Sequence, residues 1–376
     1  VVVMESTGVY WKSPFAALEA VGIVAWVVNA RHVKAVPGRK TDMQDCQWGA
    51  TLHAHGLLRA GFVPPAHIRR LQDYVRLRAD HISRAASHVQ HMQKALERMN
   101  IKLHDVISSV CGVGGVAVVR AILAGERAPE RLLALCDPQI QRAKGDRVKE
   151  ALRGTWAEEH LFALRQALQS WEHYQGQIAE CDRQIAQLLP GPDDPNDAGG
   201  TPAILTPRKR PGVNAPDIPQ LRSFLAQMCE GRDLTVLPAH TEYSVLQLVS
   251  EVHFTSWLGL APGSRQSGKR RGNVKRQRNR AGRLFCVMAR SLARSKNIAL
   301  GGFYRRMAAR RGGLVANIAL ARKLALLFWR VMVKGLDYVE EGLARYEAKV
   351  LETKQRALRR LAKELGQQLV PVAQGA

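Results

Sequence analysis

The chain has 376 residues, a formal charge of +24 and 46% apolar residues. That apolar content excludes a disordered polycation, and the length allows two or three domains. The six cysteines (Cys46, Cys111, Cys136, Cys181, Cys229 and Cys286) are scattered without a Cys-x-x-Cys pair, which argues against a structural zinc site and a disulfide framework and for a reducing cytosol.

Val1–Glu5 is a short apolar run ending in an acid and predicts a buried strand. It begins without an initiator methionine or a cap, so upstream sequence is expected to complete the sheet. Gly8 to Val21 spaces Trp11, Phe15 and Leu18 as a helix does. Gly22–Ala30 is β-branched and apolar and predicts a second strand. After the Pro37-Gly38 break, Thr41 to Leu58 reads as helix. Strand, helix, strand and helix within 58 residues imply a βαβ unit with parallel strands.

Pro64-Pro65 ends this block. From Ala66 to Asp105 apolar residues recur at near-heptad spacing (Ile68, Leu71, Val75, Ile82, Val89, Met92, Leu96 and Met99), which predicts an antiparallel helical hairpin or coiled coil. Cys111-Gly-Val-Gly-Gly precedes an apolar helix, and helix returns over Glu158 to Leu189. Eight prolines in 190–219 predict a linker, with a helix near Gln220–Cys229. Helices are expected at 281–296, 312–334 and 338–368. The most apolar of them, Leu314 to Val333, carries Arg322, Lys323 and Arg330, which argues against a membrane span. The fold class is therefore α/β plus mainly α. Expected domains are an α/β unit over 1–63, a helical coiled-coil region over 64–189, a Pro/Gly-rich linker over 190–232, a basic and mostly helical domain over 233–340, and a charged helix over 341–376.

Charge marks the carboxy-terminal half. Val252 to Leu336 holds twenty Lys and Arg and no Asp or Glu. Like charges repel in a folded surface, so a polyanion is the expected partner, and a phosphate backbone is the commonest one. Arg265, Lys269, Arg270, Arg271, Lys275, Arg276, Arg278, Arg280 and Arg283 form the core of this run. A solvated basic loop is the plainer reading. Ser264 and Ser267 lie within it. A serine that attacks a phosphodiester needs cations to neutralise developing charge, and these arginines and lysines supply them; phosphate contact alone would also explain both serines.

Three acids form a second constellation. Asp42 and Asp45 share one face of a predicted helix, and Glu5 ends a predicted strand, where open α/β sheets place ligands. Converging carboxylates suit Mg²⁺, and a pair of such ions can stabilise attacking and leaving oxygens in phosphoryl transfer. Alternatively Thr41 caps the helix and the acids stabilise its dipole. Gly112-Val-Gly114-Gly115 reads as a phosphate-binding turn or a simple helix–helix turn. His81, His88 and His91 share a helix face and read as polar coiled-coil positions rather than metal ligands.

The strings Met4-Glu-Ser-Thr-Gly-Val-Tyr-Trp11, Val28-Asn-Ala-Arg-His-Val-Lys34 and Gly38-Arg-Lys-Thr-Asp-Met-Gln-Asp45 resemble the RuvC-like half of DEDD insertion-sequence transposases (the IS-one-hundred-ten family). Trp257-Leu-Gly-Leu-Ala-Pro262, Ser267-Gly268 and Phe303-Tyr-Arg-Arg-Met307 resemble that family's C-terminal serine transposase domain. The resemblance implies a partial RuvC/RNase H-like parallel sheet and a DNA transposase or recombinase. It assigns Ser267 as nucleophile and Glu5, Asp42 and Asp45 as the last three of four metal-binding acids, the first lying upstream of this chain. It further implies Mg²⁺, DNA and a noncoding bridge RNA as partners, a homo-oligomer (dimer or tetramer) joined by the long helices, a composite site between subunits, and a bacterial, nucleoid-associated cytoplasmic location. Two departures stand out: the segment near Val252 is shorter than the family pattern by about ten residues, and Lys269 follows Gly268 where the family often has a second glycine. A remnant that binds nucleic acid without cutting it, and a metal-dependent RuvC-like junction nuclease, are the alternatives.

Overall fold

The computed structural model describes residues 1–6, 8–29, 42–189, 214–251, 265–267, 270–272, 279–334 and 342–368. It is mostly helical and divides into two units, Val1–Arg69 and Arg70–Ala376.

In the first unit β1 (Val2–Glu5) and β2 (Ala25–Val28) pair in parallel, with Val2 opposite Ala25 and Glu5 opposite Val28. Helix α1 (Lys12–Ala20) makes the crossover. It ends where Gly22 takes φ +72° and the Gly22 and Ile23 amides close back on Glu19 and Leu18. Helix α2 (Asp42–Ala54) packs on β1. The small core is Val28, Leu52 and Leu58, flanked by Val3, Trp26 and Trp48. At Gly61 the chain crosses back over β2. Its amide donates to the Val27 carbonyl at 2.7 Å, and a Cβ there would lie 2.8 Å from the same oxygen, so only glycine fits. This is the expected βαβ pattern, consistent with part of a RuvC-like unit.

The second unit is built on two long helices, α3 (Ala66–Arg98) and α8 (Glu158–Leu188). Their contacts run in opposite directions along the two sequences, so the pair is an antiparallel hairpin. Arg78 meets Asp182, His88 stacks on Tyr174 with ring centroids 5.6 Å apart, and Met92 and Leu96 share a core with Leu164 and Leu168. Of the heptad positions of α3, Leu71, Val75, Arg78, Ala85, Met92 and Leu96 are buried, while Ile68, Ile82 and Val89 are half-buried. The hairpin therefore follows from the sequence spacing.

Between the two long helices come α4 (Leu103–Val106), α5 (Val113–Leu123), α6 (Pro129–Leu133) and α7 (Pro138–Ala151), which close one core with the tip of the hairpin. The expected long helix thus stops at Arg98, because Asn100 turns the chain at φ +57°. Helix α7 was not anticipated, although its signals are present: Asp137 accepts from the Gln139 amide at 2.7 Å as N-cap, and Pro138 sits at the first turn.

The base of the hairpin belongs to a second core. Leu71, Val75, Ile185 and Leu189 pack there with Ile218, Leu221, Leu225, Phe285, Leu324 and Phe328. The contributing elements are α9 (Leu221–Met228), a 3-10 turn (Leu234–Val236), α10 (Glu242–Glu251), α11 (Arg280–Ala293), α12 (Ala299–Arg311) and α13 (Gly313–Lys334). Of the segment expected as linker, 190–213 lies outside the described residues. Residues 214–232 correct the expectation: Ile218, Leu221, Leu225 and Cys229 are core, because an apolar helix following the prolines finds a buried face. A final helix, α14 (Gly342–Glu364), packs on α12, where Arg306 lies over the Tyr346 ring at 5.5 Å.

The glycine turn before α5 has a steric cause. A Cβ on Gly115 would meet the Val110 carbonyl oxygen at 2.4 Å, and one on Gly114 the Cys136 Cα at 3.2 Å. Close backbone approach is sufficient reason for these glycines. Gly115→Ala is expected to destabilise the chain by about 1–3 kcal/mol, read as a lower midpoint in urea unfolding.

Candidate nucleic-acid interface and acidic site

Asn279 opens α11 by accepting from the Gly282 amide at 2.8 Å. The helix that follows buries Ala281, Phe285, Met288, Ala289 and Leu292, so its arginines are forced to the opposite face. Arg280 and Arg283 are exposed there. Arg280 also lies 3.5 Å from Asp80 on α3. Arg290 and Arg294 stand on the same exposed face, seven and eleven residues beyond Arg283, and continue the stripe. They lie beyond the densest part of the charge run, where composition alone does not mark them. The helical spacing 280, 283, 290, 294 is the signal that finds them.

Ahead of α11 lie β3 (Arg265–Ser267) and β4 (Arg270–Gly272). They pair antiparallel, with Arg265 opposite Gly272, Gln266 opposite Arg271 and Ser267 opposite Arg270. A hairpin here was not anticipated; Gly and Arg-rich composition hides it from a hydrophobic pattern. The register sets Ser267 directly across from a cationic residue. Side chains of β3 and β4 lie outside the described residues, as do Lys269, Lys275, Arg276 and Arg278 altogether. So does the shortened segment beyond Val252.

The last acid before the acid-free stretch is Glu251, and it is neutralised internally. Arg76 grips it through Nε at 2.5 Å and Nη2 at 2.7 Å, and Gln72 donates to the Ser250 carbonyl at 2.9 Å. Glu251 therefore offers no free carboxylate at the start of the acid-free stretch.

Among the acids, Glu5 is half-buried at the end of β1, opposite Val28 in the sheet register. Asp42 and Asp45 occupy the first turn of α2, three residues apart, as the sequence predicts. Their side chains lie outside the described residues. Glu5, Asp42 and Asp45 belong to the first unit and Ser267 to the second.

Among the described residues, one group with metal-ligating potential occurs elsewhere. His104 Nε2 lies 3.1 Å from Glu97 and 3.4 Å from Asp105. These are surface groups, and histidine–carboxylate pairing accounts for them without an ion. His81, His88 and His91 form no such group: His81 and His88 pack against Tyr174, and His91 is edge-on to His88 at 5.5 Å. His81 and His88 are half-buried in the hairpin, and His91 is exposed. Burial pushes the Cys229 thiol up to about 12 and the Cys111 thiol up to about 11, so neither supplies a thiolate nucleophile at neutral pH.

Residues 1–101 match a family model for DEDD transposases of the IS110 type, described as "Transposase". Residues 242–305 match the model described as "Transposase IS116/IS110/IS902 family". The two matches enclose Glu5, Asp42 and Asp45 on one side and Ser267 with most of the arginine run on the other. No curated protein matches the chain. Among the described residues, no helix is long and apolar enough to cross a membrane.

Proposed function

This chain belongs to the IS110 family of DEDD transposases, enzymes acting on DNA, and on that premise we propose how it works: it cleaves and exchanges DNA strands for an insertion sequence, with Ser267 as nucleophile and a noncoding bridge RNA choosing the DNA. The observation that carries the proposal is the order of parts in one chain. A strand-end glutamate and two helix-turn aspartates are followed, through a long hairpin, by a serine within a cationic run of sequence.

Attack of the Ser267 hydroxyl on phosphorus forms a serine–phosphate ester and frees one deoxyribose oxygen. The hydroxyl proton passes to solvent as the bond forms and the freed deoxyribose oxygen is protonated to a hydroxyl; the corresponding hydroxyl freed on the other duplex then attacks the phosphorus, and the serine leaves and regains its proton. In the hairpin register Arg265 and Arg270 share a face with Ser267, and their guanidinium groups would neutralise charge that develops on the phosphate oxygens. Glu5, Asp42 and Asp45 offer only carboxylate oxygens, the donor chemistry a hard divalent ion takes, so they fit Mg²⁺. When bound, Mg²⁺ would supply further charge neutralisation at the scissile phosphate. The acids and the serine lie in different units, which is compatible with a composite site made from two subunits, the long-helix hairpin serving as their coiled-coil contact.

Sequence choice is assigned to base pairing with the RNA, while the protein grips backbone. The test is strand exchange by the purified chain with the element's RNA and both duplexes; a covalent protein–DNA adduct mapping to Ser267 is the expected product, and an adduct elsewhere removes the assignment. Salt gives a second measurement. If the run from Arg265 to Arg294 makes six to ten phosphate contacts, affinity should fall by about 10³–10⁵ between 50 and 200 mM salt. A flat salt profile would show that these cations do not carry binding.

A further inference from the structure

Helix α14 leaves an apolar stripe uncovered. Leu351, Leu358, Leu361 and Leu365 are 57%, 53%, 51% and 63% exposed. With Glu347 and Lys354 they form an unbroken alternation of four- and three-residue steps, the spacing of a coiled-coil seam. At 100° per residue the centre of the seam stands about 100° around the helix from Tyr346, which meets α12. We propose that this stripe pairs antiparallel with the same stripe on a second copy of the chain, an association surface separate from the long-helix hairpin and independent of the transposase reading.

The charge pattern selects that occupant. Arg356, Arg359, Arg360 and Lys363 sit about 120° or more from the centre of the stripe at 100° per residue. The seam is edged instead by Ala348, Gln355 and Ala357. Lys354 is therefore the one cation in the Glu347–Leu365 seam, and a second strongly basic helix meets no others along it. A helix lying on a lipid surface has a different pattern, with lysines and arginines at the apolar boundary where they snorkel to the headgroups. Phosphate would be gripped by the cationic face and would leave the leucines bare.

Charge also selects the direction. Parallel pairing would set Glu347 against Glu347 and Lys354 against Lys354, like charges in adjacent seam positions. An antiparallel alignment centred at residue 356 puts Leu351 against Leu361 of the partner subunit. It sets Leu358 beside the methylene stem of Lys354 of the partner subunit and moves the two glutamates to opposite ends.

The test uses the full chain, nuclease-treated and held in about 1 M salt, which suppresses bridging by nucleic acid but not an apolar seam. Sedimentation at tens of micromolar should show concentration-dependent association. Leu358→Glu with Leu361→Glu should weaken it by about 100-fold or more, with unchanged helical circular dichroism. Lys354→Leu should strengthen it. In a Cys46→Ser background, a mixture of Leu351→Cys and Leu361→Cys chains should form the mixed disulfide. Equal association of wild type and the double glutamate variant overturns the proposal, as does a wild type that never associates. Leu351→Cys chains that cross-link among themselves overturn the antiparallel direction, and leucine-dependent pelleting with anionic phospholipid vesicles makes the occupant a membrane.

Discussion

Ser267→Ala is expected to abolish strand exchange, by about a thousandfold or more, while leaving nucleic-acid affinity within about twofold of the wild type, because a nucleophile acts only in the covalent step and binding resides in the surrounding cations. Exchange measured on paired donor and target duplexes, alongside a binding titration at fixed salt, separates the two effects. β3 and β4 hold Ser267 across from Arg270, so the alanine leaves the backbone pairing intact and the loss reports on the hydroxyl alone. Exchange that survives the substitution transfers the chemistry to the acids, and the chain becomes a metal-dependent nuclease. Loss of both exchange and binding points instead to a collapsed hairpin.

Arg78→Ala is expected to destabilise the second unit by about 3–5 kcal/mol, the largest stability effect of any single substitution considered for this chain. Arg78 is 1% and Asp182 4% exposed. Their pairing uses Nε to Oδ1 at 2.6 Å and Nη2 to Oδ2 at 3.2 Å. The guanidinium also donates to the Asn214 carbonyl at 3.1 Å and lies over the Tyr243 ring at 4.6 Å, and Asp182 accepts the Asp217 amide at 3.1 Å. Removing the arginine leaves an uncompensated carboxylate in the core where α3, α8 and the carboxy-terminal helices meet. Arg78→Met combined with Asp182→Leu should recover most of the loss, since replacing both charges removes the desolvation cost as well. Thermal unfolding of the two variants side by side tests this. A single-site loss under about 1 kcal/mol would mean that water reaches the pair.

The position of Arg78 shows how far a sequence pattern reaches. Leu71, Val75, Ala85, Met92 and Leu96 announce a buried face at heptad spacing, and the structure buries them. Nothing in that pattern says that the arginine at the same spacing is also buried, or that its carboxylate stands 104 residues away on α8. Pairing of a buried charge is decided by which helix arrives opposite, and a local pattern carries no record of that. The hairpin of β3 and β4 illustrates a different failure. Its strands are three residues each and rich in arginine, so neither alternation nor β-branching marks them.

The acids behave differently again. Glu5 at a strand end and Asp42 and Asp45 in a first helical turn are local statements, and the elements form where the residues predict them. Gly115 was ambiguous from sequence, because a phosphate turn and a close crossing both require glycine. The Val110 carbonyl, 2.4 Å from where a Cβ would stand, supplies the steric cause.

What the residues determined unaided is whatever depends on neighbours within a few turns: the parallel strand–helix–strand unit, the two long amphipathic helices, the acid-free basic stretch and the family signature. What tertiary structure alone decided is the partnership of distant segments. It put residues 218–229 into a core rather than a linker, buried Arg78 on Asp182, withdrew Glu251 onto Arg76, and left the leucines of α14 facing out. Periodicity records which side of a helix is apolar, whereas burial depends on what is packed against that side, and that is a property of the assembled chain.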